Sequence, residues 1–140
     1  MTRVINDQPL TAEVFAPFGD VLEAKGAPDK IINQGMCGRH HDLARLDFGG
    51  GHAGISVFDA KARTLPYRLD MMERHPLGSQ AFMPVTGTPF LVIVAEDVAS
   101  QPEKIRAFLT GPGQSVNFLR NVWHGVLAPI GADAQYVVVD

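Results

Sequence analysis

Glu73, Arg74, His75 and Gln80 fall within the single run Glu73-Arg74-His75-Pro76-Leu77-Gly78-Ser79-Gln80, which puts a carboxylate, a guanidinium, an imidazole and an amide within a few positions of one another. In extended backbone the side chains alternate between faces, so Glu73 and His75 point one way and Arg74 the other. A carboxylate beside an imidazole moves protons near neutral pH. The same pair can also ligate a divalent ion, because imidazole and carboxylate suit nickel, zinc or manganese. Arg74 is expected to face outward in a structural pair. A second polar cluster, Asn33-Gln34-Gly35 followed by Arg39-His40-His41-Asp42, shows no helical periodicity and is the next place to look for function.

The elements that must position these groups read as β. Gly54 to Phe58, Tyr67 to Glu73, Gln80 to Val85, Pro89 to Glu96, Ile105 to Thr110, Ser115 to Asn121, Trp123 to Ala128 and Gln135 to Asp140 are short apolar runs separated by Gly and Pro turns. That spacing indicates a sandwich or small barrel. Gly19 to Glu23 is a further short strand. Helix is expected only at Glu13 to Ala16, with Thr11 as its cap, and at Glu103 to Arg106. Pro76 to Ser79 should turn the chain so that Gln80 opens the next antiparallel strand beside His75. Gly111-Pro112-Gly113-Gln114 reads as a hairpin connection. Gly49-Gly50-Gly51 reads as a turn, since no Lys-Ser/Thr follows it as a phosphate loop would require. Phe82 and Trp123 are expected in the core or in a cavity wall.

At 140 residues the chain is expected to be one domain, 1–140. Its 12 basic and 15 acidic residues give a net charge of −3, which argues against a nucleic-acid partner. Cys37 is the only cysteine, so no intrachain disulfide forms, and a small buried or half-buried thiol is expected. No apolar run approaches a membrane span, and Met1-Thr2-Arg3 leads into Val4-Ile5-Asn6 without a signal-peptide core, so the expectation is a cytoplasmic protein with no membrane partner.

The spacing of Glu73, His75, Gln80 and Gly87 resembles the first motif of the cupin superfamily, where His-x-His, then Glu, then Gly supply three metal ligands and a turn. Placed from Gly113, the second cupin motif sets its histidine on His124. The resemblance therefore brings Glu73, His75, Gln80 and His124 together in a barrel mouth, with Glu and Gln standing where the usual quartet has His and Glu. As ligands these four are the candidate metal set. Without an ion, Glu73, His75 and His124 are a candidate acid/base set. Gln80 either joins the ligands or bonds a backbone group.

Met72 to Phe82, Arg106-Ala107-Phe108 and Asn117-Phe118-Leu119-Arg120-Asn121-Val122-Trp123-His124 closely resemble the ureidoglycolate lyases of bacterial allantoin breakdown. Asn33-Gln34-Gly35 and Arg39 to Ala44 are similar to that family's N-terminal signature. The resemblance implies a mainly all-β fold, a cupin-type double-stranded β-helix or small barrel with one or two short helices, in a homodimer. It implies a carbon–nitrogen lyase of the amidine-lyase type that converts (S)-ureidoglycolate to glyoxylate and urea, and a divalent metal, nickel in particular. Family members continue beyond the equivalent of Asp140 with a Gly-rich, acidic tail that this sequence does not contain. For such a substrate, Arg39 is the candidate clamp on the carboxylate through a bidentate pair, with a structural pair to Asp42 as the alternative. Arg120 could serve instead, since alternation sets it on the face of His124 if no bulge intervenes. Two other readings stay open: an amidohydrolase that releases ammonia, and a non-catalytic cupin that binds a small carboxylate.

Overall fold

The computed structural model describes residues 2–140. In chain order the elements are β1 (Asp7–Pro9), α1 (Ala12–Phe15), β2 (Gly19–Leu22), β3 (Lys30–Ile32), β4 (Cys37–Arg39), β5 (Ile55–Ala60), β6 (Met72–Glu73), β7 (Gln80–Pro84), β8 (Phe90–Val98), β9 (Gln101–Leu109), β10 (Ser115–Phe118), β11 (Trp123–Gly125), β12 (Ala128–Pro129) and β13 (Ala134–Val139). The fold is mostly β, as the apolar runs and turns require. One sheet has the order β1-β9-β8-β11-β6, with β12 also on β8. A second has the order β2-β10-β7-β13-β5, and β3 and β4 form a separate ribbon.

Alternation decides what lies between the two large sheets. Phe90, Val92 and Val94 of β8 and Phe108 of β9 pack in one cluster with Phe82, Val116, Phe118, Tyr136 and Val138 of the second sheet. Burying each such large apolar side chain contributes about 1.5–3 kcal/mol. The opposite file of β8, Leu91 and Ile93, is also covered, by Ala107, Ala128 and the chain from Tyr67 to Met72. That double burial explains the unbroken apolar run of β8. Helix α1 is a single short turn whose Thr11 Oγ1 accepts from Val14 N at 3.3 Å. It delivers Phe15 to the core, edge-on to Phe108 with ring centroids 5.9 Å apart.

Several local expectations are corrected. Glu103 to Arg106 is strand, inside β9, not helix. A register shift in the β8–β9 pairing and a left-handed Lys104 interrupt the alternation there, which removes the period that marks a strand. Gly111 to Gln114 joins β9 in one sheet to β10 in the other, so it is a crossing between sheets rather than a hairpin. The Pro76 to Ser79 turn does the same between β6 and β7. Only Met72–Glu73 of the expected Tyr67 to Glu73 strand is paired, because the preceding residues pack over the first sheet instead. Cys37 is exposed, on the solvated β3–β4 ribbon. Gly49 to Gly51 is a turn as expected, with Gly51 N donating to Phe48 O at 3.0 Å. No helix among the described residues is long and apolar enough to cross a membrane.

The segment after the ribbon is fastened to the barrel at Asp20. Its carboxylate accepts from Arg45 Nε at 2.8 Å, Arg45 N at 2.7 Å and Asn117 Nδ2 at 3.0 Å. Burial pushes the Asp20 carboxyl up, but the Arg45 and Asn117 bonds and the Arg45 charge outweigh it and hold the group below its ordinary value of 3.8. A carboxyl held low in the folded state adds stability that is present above 3.8 and lost as pH falls through the folded value. Denaturant unfolding of the unmodified protein and of Asp20→Asn should therefore differ most near neutral pH, and the two curves should converge as the pH is taken well below 3.8.

Candidate functional site

The candidate centre is made by two very short strands. Antiparallel pairing of β6 with β11 sets Glu73 directly opposite His124. Directly opposite residues in such a pair have Cβ atoms about 4.5–5.5 Å apart. His75 lies just past the end of β6, and its backbone carbonyl accepts from Asn121 N at 2.9 Å, which holds the residue against the turn that precedes β11. Glu73, His75 and His124 then each offer a ligand atom, all within 4.8 Å of one another.

Ring packing fixes both imidazoles. His124 stacks on Phe118 with centroids 4.4 Å apart and planes at 10°, and His75 stacks on the other histidine at 5.2 Å and 25°. His124 is 3% exposed, and its Nδ1 lies 3.0 Å from Gly125 O. A carbonyl only accepts, so Nδ1 carries the proton and Nε2 keeps a free lone pair. Burial lowers the His124 pKa below 6.5, against the raising effect of the Gly125 carbonyl; the neighbouring His75 lowers it further and Glu73 raises it. The ring is thus held as a neutral acceptor. Glu73 Oε1 lies 3.9 Å from His75 Nε2, with both side chains about half exposed.

Three buried acceptor-capable atoms of these residues have no protein partner: His75 Nε2, His124 Nε2 and Gln80 Oε1. Orphaned atoms of this kind, beside a carboxylate, fit a divalent ion, and Glu73, His75 and His124 are the residues that would hold it. Gln80 is at the start of β7, paired with Phe118, and shares a cavity with His75. That cavity has a volume of about 260 Å³, and Asp47, Phe48, His52, Ser79 and Asp140 also border it.

One wall of the cavity is the chain from Asp47 to His52, locked in place by polar contacts. Ser79 N donates to Asp47 O at 2.7 Å, and Asp47 N donates to Ser79 Oγ at 2.8 Å. Gly78 permits this approach, since a Cβ there would collide with Asp47 O. Arg120 donates bidentately to the Asp47 carboxylate, Nε at 2.9 Å and Nη2 at 2.7 Å. Those bonds hold the Asp47 carboxyl below its ordinary value.

Glu73, His75 and His124 are accordingly brought together, and Gln80 borders the same cavity as His75. Arg120 is close by, but in a turn that the left-handed Asn121 completes, and its guanidinium is engaged by Asp47 rather than displayed on the face of His124. Arg39 is not brought to the site: it is exposed on β4 and does not border the cavity. No ion pair joins it to Asp42 among the described residues. Arg74 does face outward, bonding Asp97 at 2.8 Å and lying over the Trp123 ring at 4.5 Å. Phe82 is in the core. His52, Asp47 and Asp140 were not legible as site residues. The glycines before His52 are the only nearby signal, and they mark a turn whatever its use.

The site and the two-sheet barrel define a cupin-like protein with a Glu-His-His centre in its mouth. The chain belongs to the ureidoglycolate lyase family, whose model matches residues 2–140. It is 69% identical over 134 residues to a ureidoglycolate lyase of Rhodobacter capsulatus, covering 95% of this chain and 83% of that protein. It is 52% identical over 140 residues to one from a Chelativorans species, covering 99% of this chain and 85% of the relative. With ureidoglycolate lyase 2 of Rhizobium meliloti the identity is 50% over 135 residues, or 95% and 83% of the two chains.

The centre yields a binding prediction. Protein stripped by a chelator should take up one divalent ion per chain in a calorimetric titration. At a free-ion concentration a hundred times the dissociation constant, unfolding should cost about 2.7 kcal/mol more. His124→Ala should remove both the heat and the stabilisation.

Proposed function

We propose that the protein eliminates urea from (S)-ureidoglycolate to leave glyoxylate, the reaction for which its family is named, with the substrate held in the cavity bordered by His75 and Gln80. The observation that carries this reading is the clustering of His75 and His124, each with an unpaired buried Nε2, beside Glu73 in a chain of this family. The substrate bears a hydroxyl, a carboxylate and a ureido nitrogen on one carbon. Breaking its C–N bond requires the hydroxyl proton to leave and the departing nitrogen to gain one, with no water consumed.

Glu73 accepts the hydroxyl proton, and His75, 3.9 Å away, delivers a proton to the urea nitrogen as the bond breaks. His124, kept neutral by burial, presents its Nε2 lone pair to the same space. A divalent ion held by Glu73, His75 and His124, nickel by the family resemblance, would supply Lewis-acid polarisation of the hydroxyl and carboxylate oxygens. Gln80 meets the substrate through its amide. Arg120 supplies positive charge at the cavity wall through its bond to Asp47, with Nη1 left for the substrate carboxylate. Arg39, on its exposed ribbon, serves a cavity only from a second copy, in the homodimer we assign to the protein in the cytoplasm.

Incubation with ureidoglycolate should release glyoxylate and urea in equal amounts and no ammonia. Release of ammonia instead would transfer the protein to the amidohydrolases, and binding without product would make it a ligand-binding cupin. Glu73→Gln should reduce turnover by at least about a hundredfold, the scale of a lost general base, while leaving the melting temperature nearly unchanged. Near-normal turnover in that variant would remove Glu73 from the chemistry.

A further inference from the structure

The inner file of β13 ends in an unexpected residue. Ala134, Tyr136 and Val138 point into the core, and by the same alternation the next residue on that face is Asp140. On the neighbouring strand the inner file runs from Gln80 to Phe82. The pairing Val138 with Phe82 and Val139 with Ala81 carries on to set Asp140 opposite Gln80. Two polar side chains thus occupy the mouth end of files that are otherwise apolar, and they meet: Gln80 Nε2 donates to Asp140 Oδ2 at 3.1 Å.

This contact decides which way the amide faces. A carboxylate accepts hydrogen bonds and does not donate, so it takes the NH2 end of Gln80 and turns the oxygen end away from itself. Gln80 is 6% exposed, and its Oε1 is buried with no partner. Flipped, the amide would set oxygen against oxygen at Asp140 and offer a donor to the cavity in place of an acceptor. The backbone of Asp140 is fixed independently, with Gly54 N donating to its carbonyl at 2.7 Å and its own N donating to Gly54 O at 3.2 Å. The carboxylate is therefore free of any duty in holding the strand end.

We infer that Asp140 is a positioning residue, whose carboxylate locks the Gln80 amide with its oxygen facing the cavity as an acceptor for the N–H groups of a ureido-bearing ligand. The identity of the ligand rests on the lyase reading; the orientation of the amide does not. An amide oxygen, which only accepts, favours the N–H edge of the substrate and disfavours analogues that place a carboxylate or ester oxygen there.

The experiment has two arms. In the ligand-free protein, the Gln80 side-chain 15N–1H2 resonances, assigned by their loss in Gln80→Glu, should shift and exchange faster with solvent in Asp140→Ala. Unchanged resonances would overturn the proposal whatever the activity. In the second arm, Asp140→Ala should lower kcat/KM for ureidoglycolate about tenfold, the size expected for one charge-assisted bond, while the melting temperature holds. In the Gln80→Glu background, where both ends of the side chain are oxygen and orientation no longer matters, the loss caused by Asp140→Ala should vanish or reverse. An equal loss in both backgrounds would mean that Asp140 acts in some other way, and would overturn the proposal. If the unmodified protein does not turn over ureidoglycolate at all, the lyase reading falls, and the resonance arm still decides the orientation.

Discussion

The antiparallel register of β6 on β11 is the constraint on which the site depends. Two residues of one strand and three of the other are enough to put Glu73 across from His124, because cross-strand neighbours are held a few ångströms apart by backbone hydrogen bonds alone. Strands this short are not stable by themselves. They are held because β11 is also paired to β8, the central strand of the sheet and buried from Phe90 to Ala95, with Trp123 opposite Ala95 and His124 opposite Val94. The position of the reactive groups is thus inherited from the core of the barrel, and a slip of one residue in that register would turn His124 to the other face.

Once there, the imidazole is held by two further contacts that together leave it one function. The face of Phe118 fixes the plane of His124, and the Gly125 carbonyl fixes its tautomer. What remains is Nε2, buried and unpaired beside His75 Nε2 and near the carboxylate of Glu73. Each buried polar atom left without a partner costs about 1–3 kcal/mol. Two such atoms in one cluster are a sizeable fraction of the stability of a small domain, which is typically about 5–15 kcal/mol. A ligand or ion that satisfies them recovers that free energy on binding, and this coupling is what makes the cluster a site and not a packing fault.

How much of this could be read from the residues follows from the range of each interaction. Glu73 and His75 were legible because period-two alternation is local. His124 was legible only through spacing shared with a known family, since nothing local to Trp123-His124-Gly125 distinguishes a site histidine from a core one. The crossing from β6 to β7 reads as a hairpin in the sequence because a Pro-Leu-Gly-Ser turn has the same chemistry whether the strands it joins share a sheet or change sheets. Asp47 and Asp140 could not be found at all. Their significance lies in partners far along the chain, Arg120 and Gln80, and an isolated acid in a loop or at a strand end carries no mark of that. Arg39 shows a different limit: it belongs to a polar cluster in the sequence, and the ribbon that carries it does not border the cavity of its own chain.

These differences separate the site into two parts with different tolerances. Glu73 and His124 are borne on paired strands, and Gln80 on β7 between β10 and β13, so their geometry is as rigid as the sheets. The facing wall, from Asp47 to His52, is loop held by side-chain bonds to Ser79 and Arg120 and by the close approach that Gly78 allows. Rigid strands suit the groups that must meet reacting atoms within tenths of an ångström, whereas a loop tied at a few points can change its sequence without disturbing the barrel. On this physical ground the strands are the rigid side of the cavity and the loop is the side that can vary without disturbing the barrel.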